Sequence, residues 1–252
     1  MSEGNFVWYE LMTSDVNGAI AFYKDVIGWG TQHFEGGDTP YVMWTAGGNP
    51  LGGVMTLPDP AKKAGAPPHW LAYVAVDDVD ESTRKAVSLG ATTCNPPKDI
   101  PTVGRFSVIA DPQGAVIALF KGSGAEMPRP EEAPNGHFSW HELMAGEQES
   151  ALRFYSQLFG WQKTDAVASP MGVYQMYGKG GRTFGGMMTR PKDYPAPPHW
   201  LYYVKVDDLD AALGRVRRAD GQVMHGPMEV PGGDRVAQCM DAQRAAFALH
   251  GK

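Results

Sequence analysis

The chain repeats itself, and that constrains its fold more than any other feature. Trp8, Glu10-Leu11-Met12, Phe22-Tyr23 and Gly28-Trp29 recur as Trp140, Glu142-Leu143-Met144, Phe154-Tyr155 and Gly160-Trp161, each 132 positions later. Further on, Ala66-Pro67-Pro68-His69-Trp70-Leu71 recurs as Ala196-Pro197-Pro198-His199-Trp200-Leu201, and Asp77-Asp78 recurs as Asp207-Asp208, now 130 apart. Arg105 and Asp111 match Arg235 and Asp241. The order holds and the offset drifts by a few residues, as loop insertions produce. A fold written twice must be built from two copies of one architecture.

The seam is legible. Gly122 to Gly136 holds Pro128, Pro130 and Pro134 around Glu131-Glu132, a composition that suits an extended, exposed segment. Domains at 1–122 and 137–252, joined by a linker over 123–136, follow. Each half is long enough for a modest core. With 31 Gly and 20 Pro, the chain is rich in turns, as many short elements require.

Composition excludes some partners. A net charge of −6 gives no basic face to neutralise phosphates, so no nucleic-acid partner is expected. No apolar run reaches the length of a membrane span, so no membrane partner is expected either. The first residues show no secretory signal, and Cys94 and Cys239 suggest no disulfide framework, so the expected location is cytoplasmic. The expected partner is a small molecule.

Each half reads as mixed α and β. Phe6 to Met12 is a plausible strand. Ser14 or Asp15 can cap a helix carrying Ala19, Phe22, Tyr23, Val26 and Ile27 at helical spacing, and Gly28 can end it. Tyr41 to Thr45 and Leu51 to Leu57 read as strands around Gly47-Gly48-Asn49-Pro50. Trp70 to Val76 is another strand, Asp78 caps a helix closed by Gly90, and Arg105–Ala110 and Ala115–Phe120 form a hairpin around Asp111-Pro112-Gln113-Gly114. A strand, a helix and strands thus appear twice in each half, making four units.

This order resembles the vicinal oxygen chelate superfamily, which includes glyoxalase I, bleomycin-resistance proteins and extradiol dioxygenases. The resemblance rests on Asp15…Ala19…Phe22-Tyr23…Gly28-Trp29, Tyr73-Val74-Ala75-Val76-Asp77-Asp78 and Asp111-Pro112-Gln113-Gly114. In the second half it rests on Ala151…Phe154-Tyr155…Gly160-Trp161 and Tyr203-Val204-Lys205-Val206-Asp207-Asp208, with Asp241-Ala242-Gln243-Arg244 as a degenerate turn. The Trp-x-Glu-Leu opening and the Pro-x-His-Trp element are similar to those of tandem-domain glyoxalase-like members. The resemblance implies an α+β fold of two tandem domains, with four βαβββ modules whose mixed sheets curl around clefts. It implies a glyoxalase-like lyase or isomerase, or a sequestering protein of the bleomycin-resistance type. Two domains in one chain imply an internal pseudo-dimer, expected as a monomer, with any homodimer additional.

Metal-dependent members hold a divalent cation through His, Glu or Gln. Counting from the shared motifs places those positions at Trp8 and Trp140, Leu71 and Leu201, Ala118 and Ala248, and near Val54 or Met55 and Met187 or Met188. None of these side chains suits a divalent metal, so no cofactor is expected. A shifted set using Glu10 with His69, and Glu142 with His199, is the alternative.

The candidate catalytic residues are therefore Glu10, Glu142, His69 and His199. A carboxylate inside an apolar strand needs a partner or a function. The histidines suit either a cleft contact or a tie to the Pro-rich turn. Trp8, Trp140, Tyr73, Tyr203, Leu71 and Leu201 are expected to line the cleft. Arg105 and Arg235 are expected either to hold an anionic ligand or to form surface ion pairs.

Overall fold

The computed structural model describes residues 3–34, 41–124, 132–169 and 172–252. Part of the expected linker, 125–131, lies outside them.

The first half runs β1 (Phe6–Thr13), α1 (Val16–Val26), β2 (Gly30–Phe34), β3 (Tyr41–Ala46) and β4 (Asn49–Thr56). After a short helix, α2 (Asp59–Lys63), it repeats as β5 (His69–Ala75), α3 (Val79–Ser88), β6 (Thr92–Ile100), β7 (Gly104–Ala110) and β8 (Val116–Gly122). The second half has β9 (Phe138–Ala145), α4 (Gln148–Phe159), β10 (Gln162–Ser169), β11 (Gly172–Lys179) and β12 (Arg182–Thr189). It closes with β13 (His199–Lys205), α5 (Leu209–Arg218), β14 (Gln222–Glu229), β15 (Arg235–Met240) and β16 (Ala246–Gly251). Four strand–helix–three-strand modules result.

Each half forms one open, mixed sheet of eight strands. The orders are β2-β3-β4-β1-β5-β8-β7-β6 and β10-β11-β12-β9-β13-β16-β15-β14. The helix of each module carries the chain across so that its first and last strands pair in parallel, as in β1 with β4 and β9 with β12. The remaining strands join as antiparallel hairpins. Gly47 and Gly48 sit at φ 56° and 84° between β3 and β4, the doubly positive pair that a tight hairpin turn needs.

Acidic caps start α1, α3, α4 and α5. The Asp15, Asp78 and Asp208 side chains accept from the N–H groups of Gly18, Glu81 and Ala211, and Glu147 does the same for Glu149 and Ser150.

The chain forms two compact units, and each draws on both sequence halves. One gathers the residues up to Val7, those from Ala72 through β8, and Trp140–Trp200; the other gathers Trp8–Leu71, the segment ending at Ser139, and Leu201–Lys252. The repeated motifs explain this. In the second unit Tyr23 donates to Asp241 Oδ2 at 3.1 Å and accepts from Trp70 Nε1 at 2.9 Å. Asp241 Oδ1 in turn accepts from the N–H groups of Gln243 and Ala245. In the first unit Tyr155 donates to Asp111 Oδ2 at 3.0 Å and accepts from Trp200 Nε1 at 3.2 Å. Trp29 Nε1 donates to Gly136 O, and Trp161 Nε1 donates to Gly4 O, both at 2.6 Å. The tyrosine of each Phe-Tyr motif, the Asp turn and Trp70 or Trp200 therefore form one buried polar network per unit, while each Gly-Trp indole donates to a backbone carbonyl of the same unit.

Candidate functional site

The candidate site starts from strand parity. Alternate residues of β1 share a face, so Trp8, Glu10 and Met12 point one way while Tyr9 and Leu11 are buried on the other. β4 pairs with β1 so that Gly53 lies opposite Glu10 and Met55 opposite Met12. Met43 of β3 is opposite Gly53. This face carries a carboxylate, a Trp and three half-buried Met side chains.

Tyr41 completes it. Its ring crosses the strand at Gly53, where a Cβ would overlap the Tyr41 hydroxyl and sit 2.9 Å from Glu10 Oε1. The missing side chain is what lets the tyrosine reach the carboxylate. Trp8 Nε1 donates to Tyr41 Oη at 3.0 Å, and Tyr41 Oη donates to Glu10 Oε2 at 2.8 Å. Glu10 is 4% exposed, and its other oxygen, Oε1, is buried with no hydrogen-bond partner among the described residues. Burial pushes the Glu10 carboxyl up to about 8, against the lowering effect of the Tyr41 hydrogen bond.

The second half repeats the arrangement. Trp140 Nε1 donates to Tyr174 Oη at 2.7 Å, and Tyr174 Oη donates to Glu142 Oε2 at 3.0 Å. Glu142 is 6% exposed and lies opposite Gly186, where a Cβ would overlap the Tyr174 ring. Met144 is opposite Met188, and Met176 is opposite Gly186. The first chain is built entirely within Trp8–Leu71 and the second entirely within Trp140–Trp200, so each belongs to one unit.

The connection after β12 adds groups to the second copy. The Tyr194 ring stacks on His199 with centroids 6.0 Å apart. Arg190 Nη1 donates to Tyr194 O at 3.2 Å. Burial raises the Tyr194 hydroxyl above its usual range, and the nearby Glu142 charge raises it further. His199 is pushed down, first by burial and then by the Arg190 charge, which outweigh the bond to Pro197.

The other expected site residues have settled positions. His69 Nδ1 is 2.7 Å from Pro67 O, and His199 Nδ1 is 2.8 Å from Pro197 O. A carbonyl only accepts, so each Nδ1 carries a proton and ties down the Pro-rich turn. Leu71 and Leu201 are buried. Tyr73 is buried against the rings of Phe106 and Phe120, and Tyr203 accepts from Gln238 Nε2 at 3.3 Å. The Arg105 guanidinium is engaged by Asp80 at 2.6 and 3.0 Å and by Asp99 at 2.8 Å, and Arg235 is engaged by Asp210 at 2.9 Å. Both arginines thus form ion pairs with neighbouring elements, Arg105 with α3 and β6 and Arg235 with α5. Burial pushes the Cys239 thiol up to about 12, which keeps it protonated and unreactive.

Tyr41, Tyr174, Gly53, Gly186, Arg190 and Tyr194 were not singled out from the sequence. For the first four a signal existed: Tyr41 and Tyr174, like Gly53 and Gly186, lie 133 positions apart and so belong to the repeat.

The positions counted from the shared motifs offer no donor set for a divalent metal. Trp8 and Trp140 donate their only polar hydrogens to tyrosines, Leu71, Leu201, Ala118 and Ala248 offer no donor atom, and Glu10 and Glu142 each accept a tyrosine hydroxyl. Among the described residues, no three His, Cys, Asp or Glu side chains converge where they could hold a metal ion.

Comparison with known families decides the ancestry. The model of the Glyoxalase/Bleomycin resistance protein/Dioxygenase superfamily matches residues 5–119 and again 136–248. The chain belongs to this superfamily. One superfamily relative, the putative glyoxylase CFP32 of Mycobacterium bovis, is 33% identical over 98% of this chain and 94% of its own length. The anthracycline biosynthesis protein DnrV of Streptomyces peucetius is 27% identical over 96% of this chain and 91% of its own. Among solved structures, the Mn(II)-bound glyoxalase from Novosphingobium aromaticivorans aligns over 99% of this chain and 82% of its own, with TM-score 0.63 and 16% identity. The 2,3-dioxygenase LapB from Pseudomonas sp. KL28 aligns over 100% and 94%, with TM-score 0.67 and 13% identity. At such identities these structures establish the superfamily fold and no chemistry.

Proposed function

We propose that this superfamily member binds a small molecule on the Trp–Tyr–Glu faces and transfers a proton to or from it through Glu10 and Glu142, without a divalent metal. The observation that carries the reading is the Tyr41–Glu10 pair: a buried carboxyl with one oxygen held by a hydroxyl and the other without a partner among the described residues. Such an oxygen is positioned to receive or supply a proton, and a carboxyl pushed to about 8 exchanges one near neutrality. The ionised Glu takes a proton from a carbon beside a carbonyl and returns it to a neighbouring atom, the net result being isomerisation. A leaving group on that neighbouring atom makes the outcome an elimination, the lyase case. Trp and Met side chains around the carboxyl favour a flat, apolar ligand. Two relatives named for anthracycline biosynthesis support an aromatic one.

The rival reading is a binder that sequesters its ligand unchanged, as the superfamily's bleomycin-resistance members do. Glu10→Gln and Glu142→Gln, assayed for binding and turnover in chelator-treated protein, separate the two. On the proposed reading each substitution leaves ligand affinity within a few-fold and lowers turnover at its own site by about 10²-fold or more. Full turnover in the double variant overturns the proton-transfer role. Activity that needs an added divalent cation overturns the metal-free role.

A further inference from the structure

The two copies of the site are not equivalent, and Arg190 makes the difference. Leu57 and Arg190 occupy the same backbone position just beyond β4 and β12. Leu57 N donates to Thr13 O at 2.9 Å, and Arg190 N donates to Ala145 O at 2.8 Å. The flanking registers agree, with Thr13 opposite Thr56 and Ala145 opposite Thr189. In the first half this position holds a leucine that is 5% exposed. In the second it holds a guanidinium.

That guanidinium is poorly compensated. Among the described residues its side chain makes one hydrogen bond, from Nη1 to the Tyr194 carbonyl, and its buried Nε–H has no partner. No described carboxylate lies in ion-pair range of it, whereas Arg105 pairs with Asp80 and Asp99, and Arg235 pairs with Asp210. A partly buried cation without a counter-charge is costly unless an anion completes it. The groups beside it are organised: His199 is tied to Pro197 O, Tyr194 stacks on His199, and Tyr194 lies within electrostatic range of Glu142.

We propose that Arg190 is the anion-binding group of the second site, so that the half carrying Glu142 takes a ligand bearing a carboxylate or similar oxyanion. The half carrying Glu10 takes a neutral one. A planar oxyanion matches the fork that Nε–H and the Nη groups present. This rests on the reading that these faces bind small molecules. It is independent of whether the bound molecule is transformed.

The test is isothermal titration of the full chain with 2-naphthoate and its neutral isostere 2-naphthamide. The expected result is one naphthoate site per chain, about tenfold or more tighter than the amide, weakening as salt is raised. Arg190→Leu installs the residue that the first half already carries at this position, so the backbone has a precedent for it. It is expected to bring naphthoate down to the amide's affinity, while Arg190→Lys keeps a reduced preference for the anion. Equal affinity of the two probes for the wild type, or an unchanged naphthoate affinity in Arg190→Leu, overturns the proposal and leaves the general ligand-binding reading standing. Absence of binding by either probe overturns both.

Discussion

Glu10 shows how a single residue can be read from sequence and still be incompletely understood. A carboxylate among Phe6, Val7, Tyr9 and Leu11 is conspicuous in the sequence, because an apolar strand offers it nothing. Its partner Tyr41 is 31 residues away, and nothing local joins them. The consequence for stability has a definite sign. The Glu10 carboxyl titrates near 4.5 when unfolded and is raised to about 8 when folded, so the folded protein holds a proton that the unfolded chain releases across that window. Its contribution is fully present below about pH 4.5 and is lost as pH rises through 8. The loss amounts to at most about 1.4 kcal/mol per pH unit. Urea unfolding at several pH values is expected to show wild-type stability falling between pH 5 and 8 relative to Glu10→Gln, which cannot titrate there. Parallel pH profiles for the two proteins would refute the raised carboxyl. His69 and His199 illustrate the opposite outcome: of the two roles open to them from sequence, the bond to the Pro-rich turn is the one their Nδ1 atoms make.

Among the elements, the well-read ones carry a buried face. α1 buries Ala19, Phe22, Tyr23 and Val26 at helical spacing, and β5 buries five consecutive residues. β2 and β6 escaped the sequence reading for a physical reason. Both are end strands of the first sheet, and their side chains are mostly exposed, so neither shows apolar alternation. β6 even contains Pro96 and Pro97, which an edge strand tolerates where its register shifts between Asn95 and Lys98. Glycine inside a strand ordinarily weakens it, yet Gly53 and Gly186 are what bring tyrosine and carboxylate together. Gly53→Ala is expected to push the Tyr41 ring off Glu10, costing about 1–3 kcal/mol of stability through overpacking. It should also abolish the Tyr41-dependent lowering of the Glu10 carboxyl, so that Glu10 titrates higher in a carboxyl-labelled NMR experiment. An unmoved Glu10 titration would show that the glycine has no positioning role.

For the whole molecule, the instructive point is that the sequence halves and the compact units divide the chain differently. Tyr23 of the first half needs Asp241 of the second, and Tyr155 of the second needs Asp111 of the first. Residues 1–122 expressed alone would lose the bonds from Tyr23 to Asp241, from the Trp29 indole to Gly136 O and from Tyr155 to Asp111. Each such loss costs on the order of 1–3 kcal/mol. Residues 1–122 are therefore expected to lack cooperative unfolding as a monomer by circular dichroism, and to regain it on mixing with 137–252. A stable, cooperative monomeric half would overturn this account. The repeat, read alone, determined the architecture: two copies, four modules, and capped helices and hairpins at defined places, because periodicity and turn chemistry are local properties. It also located the carboxylates Glu10 and Glu142 at matching places in the two copies. Tertiary structure alone decided which modules share a core, that Tyr41 and Tyr174 reach those carboxylates over Gly53 and Gly186, and that Arg190 has no counter-charge among the described residues. Those are contacts between residues distant in the chain, and a side chain's surroundings, unlike its periodicity, exist only once the strands are brought together.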